Sequence, residues 1–284
     1  MGYSCTPLKR TRRIEAIIET IQHFAPMLVH GFIGAFIVFS VLWILQVIRK
    51  DAGVVDIGWT AGVGAMAVYA AVIGEGWLPR RILVGAMGGI WSLRLVLYIL
   101  KDRIFAEQED SRYQRLRAHW GDRANRWFYL FFTSQSLLVV LFALPFLPAA
   151  NHARASFSVF DLLALAAWLI SMGGEWLADY QLARFRSNPS NDGKVCRDGL
   201  WNVSRHPNYF FEWTHWFAYV LLAAGAPGFG LTLIGPAAMY LFLIKLTGIP
   251  HVEREALAKR GDAYREYQRT TRMLIPWPGK KKAA

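Results

Sequence analysis

The sequence predicts an all-α protein, a polytopic membrane bundle of about seven transmembrane helices with short helices on the cytoplasmic side. Three observations predict it. Of 284 residues, 54% are hydrophobic and only 18% are charged, a balance unlike that of a soluble domain. The apolar residues fall in blocks close to the ~20 residues a helix needs to cross a bilayer. The formal net charge of +12 comes from Lys and Arg that flank these blocks. Loops facing anionic lipid headgroups look like this, and a nucleic-acid partner would instead need a contiguous soluble patch.

In chain order, a basic stretch with Lys9, Arg10, Arg12 and Arg13 leads into residues 14–26, which alternate apolar and polar at helical spacing and reach Pro26. This predicts an interfacial helix that stops there, so residues 1–27 form a basic tail and helix ahead of a single membrane domain, 28–284. Residues 28–48 are almost uninterrupted Val, Ile, Leu, Phe and Trp and form the first span. The run is too long for a signal peptide, and no small-residue cleavage site comes after it. Further spans are expected at 55–74, 82–100, 128–148, 159–180, 210–225 and 229–247, the last two as a hairpin around Ala226, Pro227 and Gly228.

The loops set the orientation. Lys101, Arg103, Arg112, Arg115, Arg117, Arg123 and Arg126 come after the third span, and Arg184, Arg186, Lys194, Arg197 and Arg205 after the fifth. With seven spans these loops and the basic C-terminal tail share one side, the cytoplasm, and the N-terminal basic stretch lies opposite. Cys5 and Cys196 stand in no metal-ligand or disulfide pattern, so neither a zinc site nor a disulfide framework is expected.

Groups able to do chemistry concentrate in residues 175–216, EWLADYQLARFRSNPSNDGKVCRDGLWNVSRHPNYFFEWTHW. Glu175, Asp179 and Arg186 recur at helical spacing and share a face. A turn-rich loop comes next, then Arg205, His206, Pro207, Asn208 and Tyr209, with Glu212 and His215 about a turn apart. Charged groups between two hydrophobic spans are costly unless something is bound there. Before any resemblance is considered, a polar cap tying loop to helix ends is the alternative for Arg205, His206 and Asn208, and a surface ion pair accounts for Asp179 with Arg186 as well as a ligand contact does. Glu212 with His215 is half of a metal site, but no second pair exists on another span, so no metal is expected. No G-x-G-x-x-G turn stands after a strand, which excludes a Rossmann site.

The blocks GLWNVSRHPNYFFE, GIPHVERE, AYREYQRTT and LIPW resemble the membrane reductases of the steroid 5-alpha-reductase type, and more closely their bacterial DUF1295-type relatives. The resemblance covers residues 175–277. It departs from the pattern at Phe211, where many relatives carry Gly.

The resemblance implies NADPH as cofactor, held by the half comprising residues 151–284, and a substrate cavity in the half 28–150. It matches Asp179, Asn208 and Glu212 to groups that hydrogen-bond the cofactor. Glu175, His206 and Tyr209 are placed beside them, and Arg186, Lys194, Arg197 and Arg205 are suited to phosphates. His206 is also able to exchange protons near neutral pH, or to orient the loop.

In the N-terminal half the resemblance matches Asp56 to the catalytic carboxylate of the second span and puts Trp91 at the Tyr position of the third. An indole N–H cannot be given up in a catalytic cycle, so Tyr98 is the substitute proton donor. The alternative for Asp56 is an ion pair with Arg94. The segment 103–128 either folds over the cytoplasmic face beside the cofactor or is a plain amphipathic surface helix.

The expected function is thus an NADPH-dependent reduction of an activated carbon–carbon double bond in a lipophilic, steroid-like or other lipid substrate. The protein would lie in the bacterial inner membrane or the endoplasmic reticulum, with its cofactor site facing the cytoplasm. Membrane lipid and the small-molecule substrate are its partners, and a monomer suffices for both. An S-adenosylmethionine-dependent methyltransferase of the isoprenylcysteine type shares the RHP-x-Y motif and is the second reading. A lipid-binding membrane protein without chemistry is the third. Asn208 together with Asp179 favours the reductase.

Overall fold

The computed structural model describes residues 7–101 and 109–277, and the side chains from Glu15 onward except at positions 16, 17 and 21. Cys5, Arg103 and the basic side chains at 9–13 therefore lie outside the described residues. Among those described there is no strand, and six helices are long and apolar enough to cross a membrane. The chain is a multi-pass membrane bundle. It divides into two compact units, Met1–Ser156 with Ala223–Ile234, and Phe157–Leu222 with Gly235–Ala284.

The first unit begins with α1, Pro7–Arg49, a single helix of 43 residues. The expected stop at Pro26 does not occur, and the interfacial segment and the first span are one element. Proline lacks the N–H that would reach the Gln22 carbonyl, but one missing bond does not end a helix whose flanking turns are intact, and membrane helices tolerate it. Helices α2 (Val54–Ile73) and α3 (Leu78–Ile99) form a hairpin. They approach so closely that a Cβ on Gly64 would stand 2.2 Å from that of Ser92, and the Ser92 hydroxyl donates to the Thr60 carbonyl at 2.9 Å.

Two adjacent arginines close the far end of this hairpin. Arg81 Nε donates to the Ala71 carbonyl at 2.7 Å, satisfying the end of α2. Arg80 is fully buried and donates to the carbonyls of Arg154 and Ser156, both at 2.9 Å, fixing the loop that leaves α6 (Phe146–Ala150). Between α3 and α6 lie α4 (Ser111–Trp120) and α5 (Ala124–Ala143). Helix α5 packs on α1 and α2, and the Trp43 indole donates to the Asn125 carbonyl at 2.8 Å.

The second unit contains α7 (Val159–Arg186), α8 (Pro207–Leu222), most of α9 (Ile234–Leu241) and α10 (Ile249–Thr270). Helix α7 starts where it does because Ser158 and Asp161 form a capping box: the Asp161 carboxylate accepts from the Ser158 N–H at 2.8 Å. A π-helical turn, Phe242–Leu246, joins α9 towards α10. The expected span 210–225 is α8, which has only 16 residues, short of the ~20 a full crossing takes. This is why six helices and not seven pass the criterion of length and apolarity. The expected span 128–148 ends as α5 at Ala143, because Pro145 lacks the N–H that would continue the helix, and the chain resumes as the short α6, which holds Pro148.

Candidate functional site

In the second unit α7 and α8 run antiparallel. Ser171 Oγ meets Thr214 Oγ1 at 3.0 Å, Gly174 lies against Phe211, and Asn208 Nδ2 donates to Asp179 Oδ1 at 3.3 Å. The helical spacing of Ser171, Glu175 and Asp179 puts them on the face turned to α8. Glu175 and Glu212 are buried, 5% and 7% exposed. His215 is buried too, and its Nδ1–H donates to the Glu212 carbonyl of its own helix at 2.6 Å, which fixes the tautomer. Three ionisable groups are thus held in a tight helix pair, together with the Asp179–Asn208 contact at its loop end.

The loop between α7 and α8 is tied down at several points. The Trp201 indole donates to the Ala178 carbonyl at 2.9 Å, and the Gln181 side chain accepts from the Leu200 N–H at 2.9 Å. Gly199 is required here. Its φ is +53°, and a Cβ would stand 2.2 Å from the Gln181 amide. Arg205 Nε donates to Glu253 Oε1 at 2.7 Å, and its Nη1 donates to the Thr271 and Gln268 carbonyls at 2.7 and 3.0 Å, at the end of α10. His206 Nε2–H donates to the same Glu253 oxygen at 3.2 Å, and Gln268 Nε2 donates to Oε2 at 2.8 Å. The Tyr267 hydroxyl donates to the Trp201 and Ser204 carbonyls, and Ser204 Oγ donates to the Leu274 carbonyl at 2.7 Å. The separate sequence blocks are therefore one hydrogen-bond network, in which Glu253 is the common acceptor.

Burial is the main influence on His206 and lowers its pKa below the usual 6.5, while the Glu253 carboxylate pulls the other way. The imidazole is neutral at pH 7 and stacks on the Tyr209 ring at 5.5 Å. Burial raises the pKa of the Cys196 thiol, leaving it inert. Arg186 at the end of α7 and Lys194 and Arg197 on the loop are exposed. Arg197 lies over the Tyr267 ring at 5.1 Å. Of the basic residues expected to face phosphates, Arg205 is the one engaged with a carboxylate and a helix end.

The first unit has its own polar cluster. Asp56 lies in the first turn of α2, where the helix dipole favours a carboxylate, and not at mid-span depth. It accepts from Arg112 Nη2 and from the Tyr113 hydroxyl, both at 2.8 Å. Arg112 also meets Asp110, the N-cap of α4, at 3.0 Å. Arg112 and Tyr113 are partners of Asp56 that the sequence does not suggest. Glu109 accepts from Arg117 Nη2 and from the Ala52 N–H, both at 2.8 Å, so the segment from Glu109 to α4 is folded onto the turn between α1 and α2. Tyr113 is 3% exposed and Tyr98 is 37% exposed. Trp91 is fully buried, edge-on to Trp59.

Sequence reasoning missed Glu253, Gln268 and Tyr267, and it gave Tyr113 no role. Tyr113 stands in the segment EDSRYQ, whose Asp110 signals a helix start, and the other three stand in the family-like blocks without an assigned role. Among the described residues no three His, Cys, Asp or Glu side chains are grouped as metal ligands.

A family model described as a protein of unknown function, DUF1295, matches residues 42–271. The chain belongs to the DUF1295 family. The match takes in the cluster around Asp56 and the whole α7–α10 network. This DUF1295 chain is also similar to an uncharacterized protein of Schizosaccharomyces pombe, 26% identical over 219 residues, which are 68% of this chain and 64% of the relative. It thus aligns with about two thirds of that relative's length. No solved structure matches.

Proposed function

We propose that this DUF1295 chain is an NADPH-dependent membrane reductase that saturates an activated carbon–carbon double bond in a lipophilic substrate, steroid-like or another lipid. The observation that carries the reading is the seam between α7 and α8. Asp179 and Asn208 come from different helices yet meet at 3.3 Å, beside the buried Glu175 and Glu212. Exposed Arg186 ends α7, and the connecting loop carries exposed Lys194 and Arg197. Carboxylates and an amide suit ribose hydroxyls and a carboxamide, and exposed cations suit phosphates. Arg205, His206 and Tyr209 hold the loop in place.

NADPH, when bound, would supply a hydride to the β carbon of the substrate. The protein would then have to provide a donor to the carbonyl oxygen and allow a proton to reach the α carbon. Asp56 and Tyr113 form a polar pair of the kind this asks for, a phenol held 2.8 Å from a carboxylate. Tyr113 fits the donor role better than the more exposed Tyr98, and it supplies the O–H that Trp91 lacks.

The test is a titration of the detergent-solubilised protein with NADPH and, separately, with S-adenosylmethionine. Saturable NADPH binding is expected, with none for S-adenosylmethionine. The reverse result would favour a methyltransferase, and binding of neither would favour a lipid-binding protein without chemistry. Asp179→Ala and Asn208→Ala should each weaken NADPH binding by about 1.5 to 3 kcal/mol, roughly ten- to a hundredfold.

A further inference from the structure

The first turn of α4 brings a cation to both members of the Asp56–Tyr113 pair. Arg112 Nη2 donates to Asp56 Oδ2 at 2.8 Å while the Tyr113 hydroxyl donates to Oδ1 at 2.8 Å, so a guanidinium and a phenol share the two oxygens of one carboxylate. Arg112 Cζ also lies over the Tyr113 ring, 5.1 Å from its centroid. Asp110 fixes the guanidinium: Oδ1 accepts from Nε at 3.0 Å and Oδ2 from Nη2 at 3.1 Å, a fork that Lys cannot reproduce. Asp110 is itself held as the N-cap of α4, where it accepts from the Arg112 N–H at 2.8 Å. The Arg112 and Asp56 side chains keep 24% and 25% of their surface open, and at that exposure an ion pair contributes little to stability.

A phenol has one hydrogen, and here Asp56 holds it. For Tyr113 to protonate a carbonyl oxygen, that hydrogen has to leave Asp56, the new O–H bond forms on the substrate, and the electron pair of the old one stays on Tyr113 as a phenolate. Water returns the proton afterwards. Beside an uncompensated carboxylate both changes are unfavourable, since the anion retains the hydrogen and repels the phenolate. A guanidinium on Oδ2 weakens the hold of the carboxylate on the hydrogen, and over the ring it stabilises the charge that forms. We infer that Arg112 is a positioning residue for the Asp56–Tyr113 pair, releasing the Tyr113 hydrogen from Asp56 and balancing the charge its transfer leaves. The inference rests on the reductase reading above and adds what makes the phenol a donor.

The experiment follows NADPH oxidation by the detergent-solubilised full chain with progesterone as a lipophilic enone probe, and measures NADPH binding separately. Arg112→Gln should lower kcat roughly tenfold and leave the KM for the probe and the NADPH affinity unchanged. Unchanged NADPH binding also shows that the variant is folded. Arg112→Lys, which restores the cation without the fork, should recover part of the lost kcat. In a Tyr113→Phe background Arg112→Gln should have no further effect, because the hydrogen it releases is gone. An Arg112→Gln variant that turns over like the parent overturns the inference and spares the reductase reading. So does an Arg112→Lys variant no better than Arg112→Gln, or an equal further loss in the Tyr113→Phe background, because Arg112 would then act independently of the phenol. Loss of NADPH binding in both Arg112 variants overturns it too, since the residue would then serve the fold alone. A parent that oxidises no NADPH with the probe overturns the reductase reading for steroid-like enones and this inference with it.

Discussion

Glu253 shows how a residue becomes important without any local sequence signal. It accepts from Arg205, His206 and Gln268, and the first two are 48 and 47 positions away, so no periodicity or short motif points to it. Removing one partner of a largely buried charge pair is costly, and Glu253→Ala should destabilise the folded protein by about 3 kcal/mol, read as a shift in denaturant midpoint in detergent. His206 makes the same network sensitive to acid. The unfolded chain takes a proton on this residue near 6.5, and the folded chain only at lower pH. Its contribution to stability is therefore complete above pH 6.5 and is lost as pH falls through the depressed folded value. A stability–pH profile should decline below about 6.5 and be flatter in His206→Gln, which keeps a donor for Glu253 without the titration. In the first unit, Tyr113→Phe should lower turnover roughly a hundredfold or more with NADPH affinity unchanged. If turnover persists in Tyr113→Phe and is lost in Tyr98→Phe, the donor is Tyr98, the residue the sequence suggests.

At the scale of elements, the spans are legible in the sequence where hydropathy decides and illegible where a backbone contact decides. Helices α2, α3 and α7 lie almost where the apolar blocks put them, since a helix in lipid satisfies its own backbone and needs no outside partner. The start of α7 is a different matter. The sequence SVFD contains a capping box that hydropathy does not register, and Asp161 is buried to 2% exposure while it accepts from the Ser158 N–H. Asp161→Ala should cost about 1 to 2 kcal/mol and fray the first turn of α7, visible as faster hydrogen exchange at residues 159–162. Proline misleads in both directions, at Pro26 by suggesting a stop that does not occur and at Pro145 by ending a helix that hydropathy would continue. Pro26 interrupts one bond of a long helix whose flanking turns hold, whereas at Leu144 and Pro145 the chain turns before α6 begins. The candidate site divides the same way. Glu175, Asp179 and Asn208 are visible from spacing and resemblance because they lie on helix faces. The role of Arg205 is not, because its partners are the carbonyls at the end of α10.

For the whole molecule, the two ends of the first unit differ in what their charges do. At one end the turn between α1 and α2 is joined to the start of α4 through Glu109 and Arg117, and Arg49, Lys50, Lys101, Arg115, Arg123 and Arg126 gather there by sequence. At the other end Arg80 and Arg81 are spent on backbone carbonyls, and Glu75 and Asn151 are joined through a backbone N–H. Cationic side chains thus concentrate at the first end, which the positive-inside rule places in the cytoplasm. The loop between α7 and α8, with its own exposed Arg and Lys, should be cytoplasmic as well. In intact bacterial cells expressing single-cysteine variants, an impermeant maleimide should label Glu75→Cys directly, and Arg115→Cys and Ser190→Cys only after permeabilisation. Labelling of Ser190→Cys in intact cells would put the basic loop outside, beyond the reach of cytoplasmic NADPH, and the reductase reading would fall together with the topology.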